Sequence, residues 1–332
     1  MKFSRENILT IYVMYSAMFL AAIRWRTGTD WDAYLDVYEN IKQIGVINEL
    51  FEPGFIIAMK VVDYFGIGFS GYIIILSVLC TGIKLFVISR LPYWKFALVW
   101  YGTTFQFDLY SVRYNAALSF LFLGLFAREY FGRRWISWIF FSFGMLWHKA
   151  VLIGVLLSWP RKNEAFGTSL VMKLLIFLCL IVVTYFFVTQ ESFQYKLANQ
   201  IFSFNVNLQG LSDPVYVHRI LYLVLCVLIS REMSRCPDRN RSIHAFVPIF
   251  GGVLYCIIGV VDLGSVARLY GVFLIFELYI VSAYNLANRK VILLGFAMFV
   301  FPVRVFQYFS SNYFDLFWPY ETILEIQFKG VY

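Results

Sequence analysis

The stretch Ser70-Gly-Tyr-Ile-Ile-Ile-Leu-Ser-Val-Leu-Cys-Thr-Gly-Ile-Lys-Leu-Phe-Val-Ile-Ser89, closed by Arg90, decides the fold. A helix rises roughly 1.5 Å per residue, so about 20 apolar residues cover the roughly 30 Å hydrocarbon core of a bilayer. This run is long enough for a full span. Further apolar runs recur at 8–23, 54–66, 96–107, 114–127, 135–147, 149–159, 168–189, 214–230, 245–261, 269–287 and 291–309. Of the 332 residues, 61% are hydrophobic and 14% charged, against about 25% charged in a soluble domain. No stretch of ordinary mixed composition exceeds about thirty residues. The expectation is an all-α, polytopic integral membrane protein of about 10–12 transmembrane or re-entrant helices. It forms one membrane domain over 1–332, with no soluble domain.

The charges give an orientation. Basic loops at Arg90–Lys95, Arg128–Arg134, Arg161–Lys162, Arg231–Arg241 and Arg289–Lys290 separate the apolar runs, and such loops stay in the cytoplasm. The net charge of +8 therefore belongs to membrane insertion and implies no nucleic acid. The remaining segments face outward: 24–53, 108–113, around 148, 190–213, 262–268 and a C-terminal tail at 310–332. The outer segment 24–53 holds Arg24, Arg26 and Lys42 against Asp30, Asp32, Asp36, Glu39, Glu49 and Glu52. The N-terminus is then cytoplasmic, and Met1 to Ile23 reads as an uncleaved first membrane helix.

Three places depart from simple crossings. Residues 54–89 carry two apolar runs where the orientation permits an odd number of crossings. The run 54–66 is short, holds Lys60 and Asp63, and ends in Gly66-Ile-Gly68. It reads as a half-helix or re-entrant piece, which survives at membrane depth only under cover of protein or water. The paired runs meeting at Asp108–Arg113 and at Trp147-His148-Lys149 are also too short to span. Their turns are expected below the outer surface, inside the protein. The cysteines Cys80, Cys179, Cys226, Cys236 and Cys256 have no metal spacing and predict no disulfide. The 36 Phe, 23 Tyr and nine Trp read mostly as lipid-facing, packing and interface-anchoring residues.

Against this apolar background the ionisable residues near the outer side are functional candidates. Asp30 and Asp32 suit acid–base work on a sugar hydroxyl; a solvated acidic loop, or an N-cap for a helix starting near Ala33, is the alternative. Arg113 and Arg268 suit bidentate phosphate binding; the alternative is an ion pair that only orders the turn, with Asp108 for Arg113, and the same holds for Arg268, which follows Asp262. Arg304, near the outer end of the last run, suits the same chemistry or snorkels to the interface. His148 is placed to act as base, acid or hydrogen-bond donor to a pyrophosphate, or is held by a backbone carbonyl at the turn. His218 and His244 read as interfacial. Glu52-Pro53-Gly54 is ordinary helix-start chemistry on its own.

The order of these motifs carries more than any one of them. Arg24-x3-Gly28-Thr29-Asp30-x3-Tyr34 is followed by Glu52-Pro53-Gly54 and by Arg113 with Ala116-Ala117. His148, Arg268-Leu-Tyr270 and Pro319-Tyr320 complete the set. Over roughly residues 20 to 322 the chain resembles the EpsG/Wzy-type family of bacterial polysaccharide polymerases. The resemblance implies a GT-C-like membrane glycosyltransferase at the periplasmic face of the inner membrane. Its substrates would be O-antigen or capsule repeat units on undecaprenyl pyrophosphate. The growing chain would pass from its lipid carrier to the non-reducing end of the incoming unit.

On this reading Asp30, Arg113, His148 and Arg268 are catalytic, and Arg24, Asp32, Tyr34, Glu52, Tyr270 and Tyr320 bind substrate. No metal or other cofactor is needed. The partners are the lipid-linked oligosaccharides and membrane lipids, and whether a chain-length regulator binds stays open. Many members carry Gln directly after the arginine where this chain has Tyr114-Asn115, which leaves open what supports Arg113. A small residue is more usual where this chain has Lys149. The rival expectations are an O-antigen ligase or other lipid-donor glycosyltransferase, a flippase for the lipid-linked unit, and a membrane O-acyltransferase.

Overall fold

The structure is a computed structural model. It describes residues 15–16, 31–46, 51–104, 112–130, 134–158, 214–234, 247–260, 264–283, 289–296, 298 and 302. Arg24, Asp30, Asp108, His244, Arg304, Tyr320, Cys179, Cys236, most of the expected first membrane helix, segment 190–213 and the tail 310–332 lie outside the described residues. Every described element is helical. In chain order they are α1 (Trp31–Glu39), α2 (Pro53–Tyr64), α3 (Gly68–Arg90), α4 (Trp94–Thr104), α5 (Val112–Tyr130) and α6 (Arg134–Trp147). They continue with α7 (Val151–Ser158), α8 (Pro214–Ser234), α9 (Val247–Val260), α10 (Gly264–Ala283) and α11 (Arg289–Gly295).

Among the described residues α3 is the one helix long and apolar enough to cross a membrane. Trp135–Trp147, Val247–Ile257 and Tyr270–Ala283 are shorter apolar helices. The expected half-helix is α2. Pro53 occupies its first turn, where the missing N–H costs no hydrogen bond. Its end is set by Gly66 and Gly68, at φ 66° and 78°, a left-handed geometry that glycine adopts freely. Gly66 N–H donates to the Asp63 carbonyl at 2.9 Å. The chain therefore turns back within residues 65–67, and α2 packs on α3 as a hairpin. Helix α1 lies over this hairpin. Its apolar side buries Trp31, Tyr34, Val37 and then Ile41, while Asp32, Asp36 and Glu39 stay exposed. Trp31 meets Phe69 edge-on at 5.2 Å between ring centroids.

The contacts fix a common direction for several helices. Ser119 Oγ donates to the Cys80 carbonyl, and six residues further along α3 Phe86 meets Phe126, so α3 and α5 are parallel. Gly271 abuts Tyr114 and Tyr279 meets Phe122, so α10 is parallel to α5 as well. His148 meets Tyr114 and Gly154 abuts Leu121, which adds α7. Helix α6 runs the opposite way, with Gly144 against Phe120 and Gly124 against Phe141. Thus α6 and α7 form a helical hairpin whose tip, His148 to Ala150, comes level with the start of α5. On the far side of α10, α9 is antiparallel to both α8 and α10: Tyr255 meets Tyr222 and Tyr270, and one turn earlier on α9 Gly252 abuts Cys226 and Gly251 abuts Phe273. Helices α3, α5, α7, α8 and α10 thus share one direction.

Helix α2 closes on the α6–α7 hairpin without clearance. A Cβ on Gly54 would stand 2.7 Å from the Leu146 carbonyl oxygen, and backbone yields little. Gly54→Ala should destabilise the protein by about 1–3 kcal/mol. Gly102→Ala, which meets nothing within 4 Å, should not. Thermal unfolding of both variants in detergent tests this, and equal melting temperatures would show the α2–α6 contact to be loose.

Candidate active site

The start of α2, the start of α5 and the tip of the α6–α7 hairpin meet in one place. Glu52 caps α2 through its backbone, with Phe55 N–H donating to its carbonyl at 3.1 Å. Its carboxylate makes no cap hydrogen bond. Instead Arg113 Nη1 donates to Glu52 Oε2 at 2.8 Å. The second carboxylate oxygen accepts from the Lys149 backbone N–H at 3.5 Å, the outer edge of hydrogen-bond range. One carboxylate therefore ties the first turn of α5 to the hairpin tip. Its partners lie 61 and 97 residues away in sequence.

Arg113 also rests on aromatic rings. Its guanidinium lies 5.1 Å from the Phe51 ring centroid and 5.8 Å from that of Phe55. Such contacts hold a planar cation without neutralising it. Tyr34 packs against both phenylalanines and is 2% exposed, so α1 backs the same wall. The Arg113 and Glu52 side chains are 11% and 17% exposed, a depth at which an ion pair is weakly screened. Glu52 takes one of the five N–H donors a guanidinium carries.

His148 is buried at the tip. Its Nδ1 accepts the Ala150 N–H at 3.1 Å, which places the proton of the neutral ring on Nε2. That bond caps the start of α7, as the Val151 N–H does by donating to the His148 carbonyl at 3.2 Å. The His148 ring meets Tyr114 at 5.2 Å. A Cβ on Gly271 would stand 2.3 Å from the Tyr114 hydroxyl oxygen, so Tyr114 links the hairpin tip to α10. The backbone of Arg268 lies one turn before Gly271 on α10; its side chain is outside the described atoms.

The structure thus brings together Arg113, Glu52 and His148, with Tyr34 behind them and the backbone of Arg268 within a helical turn of Tyr114. Asp32 is exposed in the first turn of α1. The ring of Tyr270 is 3% exposed and stacks on Tyr255 at 4.9 Å. His218, read from sequence as interfacial, is buried against Tyr255, because α9 covers that face of α8. On α1 the Tyr38 phenol is pushed up by burial and by the charge of Asp63, against a lowering backbone hydrogen bond at Gly68. Phe51, Phe55 and Tyr114 were not singled out from sequence. In a chain with 36 phenylalanines only the position of Phe51 and Phe55 either side of Glu52 marks the first two.

A family model matches residues 7–322, almost the whole chain. The chain belongs to the EpsG family. No curated protein and no solved structure matches it significantly. EpsG membership and the run of apolar helices make this a membrane protein of the polysaccharide-polymerase type. Within the EpsG chain, the question raised by Tyr114-Asn115 has a local answer: Glu52 and two phenylalanines support Arg113 here.

A double-mutant cycle measures that support. Glu52→Ala and Arg113→Ala should each destabilise the purified protein, and their effects should be coupled by about 1 kcal/mol or more. Strict additivity in chemical or thermal unfolding would remove the Glu52–Arg113 pair as an organising contact.

Proposed function

We propose that this EpsG-family protein polymerises undecaprenyl-pyrophosphate-linked oligosaccharide repeat units at the periplasmic face of the bacterial inner membrane. The observation that carries the reading is Arg113, half-buried on an aromatic wall and fixed by Glu52, level with His148 and with the first turns of α10. The same end of the bundle holds the starts of α3, α5, α7, α8 and α10. Helices α6 and α9 end at this face and offset those dipoles, so the anion preference rests on the Arg113 guanidinium and the His148 Nε2 donor. With the basic loops cytoplasmic, the polytopic chain has its N-terminus inside and this end facing the periplasm.

In the proposed reaction an acceptor hydroxyl oxygen at the non-reducing end of the incoming unit attacks the anomeric carbon of the growing chain. The bond from that carbon to the pyrophosphate oxygen breaks, and the lipid pyrophosphate leaves with the electron pair. Arg113 and Arg268 steady the charge that develops, and His148 donates from Nε2. Such fixed cations and donors cost no reorganisation at the moment of reaction. Asp30 takes or orients the hydroxyl proton, with Arg24 holding its loop; Asp32 and Tyr320 contribute to the saccharide groove, while Tyr34 and Tyr270, both buried, support it from behind. The charge is met by side-chain cations, and the scheme needs no metal.

Arg113→Ala, His148→Ala and Asp30→Ala should each suppress long-chain product, by about 10²–10³-fold for removal of an electrostatic donor, while the protein still inserts. The assay is the surface polysaccharide ladder of cells complemented with each variant. A ladder of normal length in Arg113→Ala would sink the assignment. Loss of every surface repeat unit, with lipid-linked material held on the cytoplasmic leaflet, would instead indicate a flippase, and loss of attachment with normal polymerisation a ligase.

A further inference from the structure

Arg219 belongs to no step above. It lies on α8, five residues and roughly 8 Å along from the helix start, and is half-buried. An arginine at that depth in a membrane bundle calls for a use. Its Nη1 donates to the Tyr255 carbonyl of α9 at 2.7 Å, and its guanidinium lies 4.8 Å from the Tyr255 ring centroid. The Arg219 carbonyl accepts from the Cys256 thiol at 3.5 Å, so backbone and side chain are both held on α9. A snorkelling arginine runs its head out to the lipid headgroups; this one is folded onto the neighbouring helix. The ring beneath it is itself fixed. Tyr255 stacks on Tyr270 of α10 and meets Tyr222 of α8 edge-on. The Tyr222 hydroxyl in turn donates to the buried Glu277 carboxylate of α10.

The arrangement repeats that of Arg113 with one difference. Each arginine lies in the first two turns of its helix, at the same end of the bundle, with its guanidinium over an aromatic ring. Arg113 answers a carboxylate, Glu52. Arg219 answers a neutral carbonyl, and among the described residues no carboxylate pairs with it. One of its five N–H donors is used, and none of its nitrogens is buried without a partner. The others are open to a ligand that accepts several hydrogen bonds and carries negative charge, which is the chemistry of a phosphate. The two arginines are separate sites. Helix α5 meets α10 at Tyr114 and Gly271, α10 meets α9 at Tyr270 and Tyr255, and Arg219 lies beyond Tyr255. At roughly 8–10 Å between packed helices, the guanidiniums stand on the order of 15–20 Å apart, too far for one pyrophosphate to bridge.

The proposed reaction brings two pyrophosphates to this end of the bundle. The growing chain loses its own when its anomeric carbon is attacked. The incoming unit attacks through its non-reducing end and keeps the pyrophosphate at its reducing end. We propose that Arg219 holds the pyrophosphate of the incoming unit while Arg113 holds that of the growing chain. The proposal rests on the functional reading above. Arg219 takes part in no bond change; it anchors the acceptor, whose sugars cross the start of α10 toward Arg113. The anchor and the reacting hydroxyl are then one repeat unit apart, so the position of Arg219 selects which hydroxyl reaches the donor.

The test is the number of undecaprenyl pyrophosphate molecules bound by the purified full chain in phosphatidylcholine nanodiscs, with uncharged undecaprenol and anionic phosphatidylglycerol as competitors. The variants are Arg219→Gln, Arg219→Lys and Arg113→Ala. Arg219→Gln keeps an N–H donor for the Tyr255 carbonyl and loses the charge. Wild type should bind two equivalents. Arg219→Gln should keep one at wild-type affinity, which also shows that the variant is folded, and bind the second about ten- to hundredfold more weakly. Arg113→Ala should weaken the other equivalent, and neither competitor should displace either one. Should Arg219→Gln lose both equivalents, Arg219→Lys decides: both restored supports the proposal, and neither restored overturns it. If Arg219→Gln binds as wild type while Arg113→Ala is weakened, the proposal fails and the functional reading stands. Displacement of the second equivalent by phosphatidylglycerol at equal concentration would make Arg219 a phospholipid-headgroup site and overturn the proposal as well. If wild type shows no preference for the pyrophosphate over undecaprenol, the functional reading fails and takes the proposal with it.

Discussion

The bond between Glu52 and Arg113 is the constraint on which the arrangement depends. Each partner opens a helix, and the apolar contacts around those helix starts set distance without setting orientation. The carboxylate reaches a third element as well, through the Lys149 backbone. Because both charges are largely removed from solvent, losing one leaves the other without compensation, which is far costlier than losing an exposed pair. The aromatic wall of Phe51, Phe55 and Tyr34 adds the second restraint, fixing the plane of the guanidinium.

Much of the fold was legible in the sequence. The expected span 70–89 is α3 at Gly68–Arg90, and the short run 54–66 is the hairpin arm α2. Hydrophobic length and paired glycines carry that information locally. Ends were less legible. The run expected at 114–127 is α5 at Val112–Tyr130, and α10 starts at Gly264, five positions before its apolar run. Polar and small residues such as Gly264, Ser265 and Arg128 continue a helix without contributing hydropathy, so a run of apolar residues marks the buried middle of a helix and misses its turns at either end.

The site was legible in its parts and less so in its joints. Arg113 and His148 stand out because charge is scarce around them. Glu52 also stands out, yet its neighbourhood reads as a routine helix start, and nothing within ten residues names Arg113 as its partner. That pairing comes from helix packing, through Gly54 against Leu146 and Gly144 against Ala117, where missing side chains let backbones approach. His218 shows a contact of the same kind: its ring packs under Tyr255 of α9, a neighbour 37 residues on that its own helix end does not name.

The shared direction of α3, α5 and α8 has a consequence at their other ends. Their last turns carry Arg90, Arg128 and Arg231, where carbonyl oxygens gather partial negative charge. In the proposed orientation these are the cytoplasmic ends. Each of these arginines thus sits on the carbonyl end of its own helix and offsets that helix's dipole locally, while α6 and α9 run the other way. In the proposed orientation, the side chains that hold the chain's sidedness are also the ones that cap its helices.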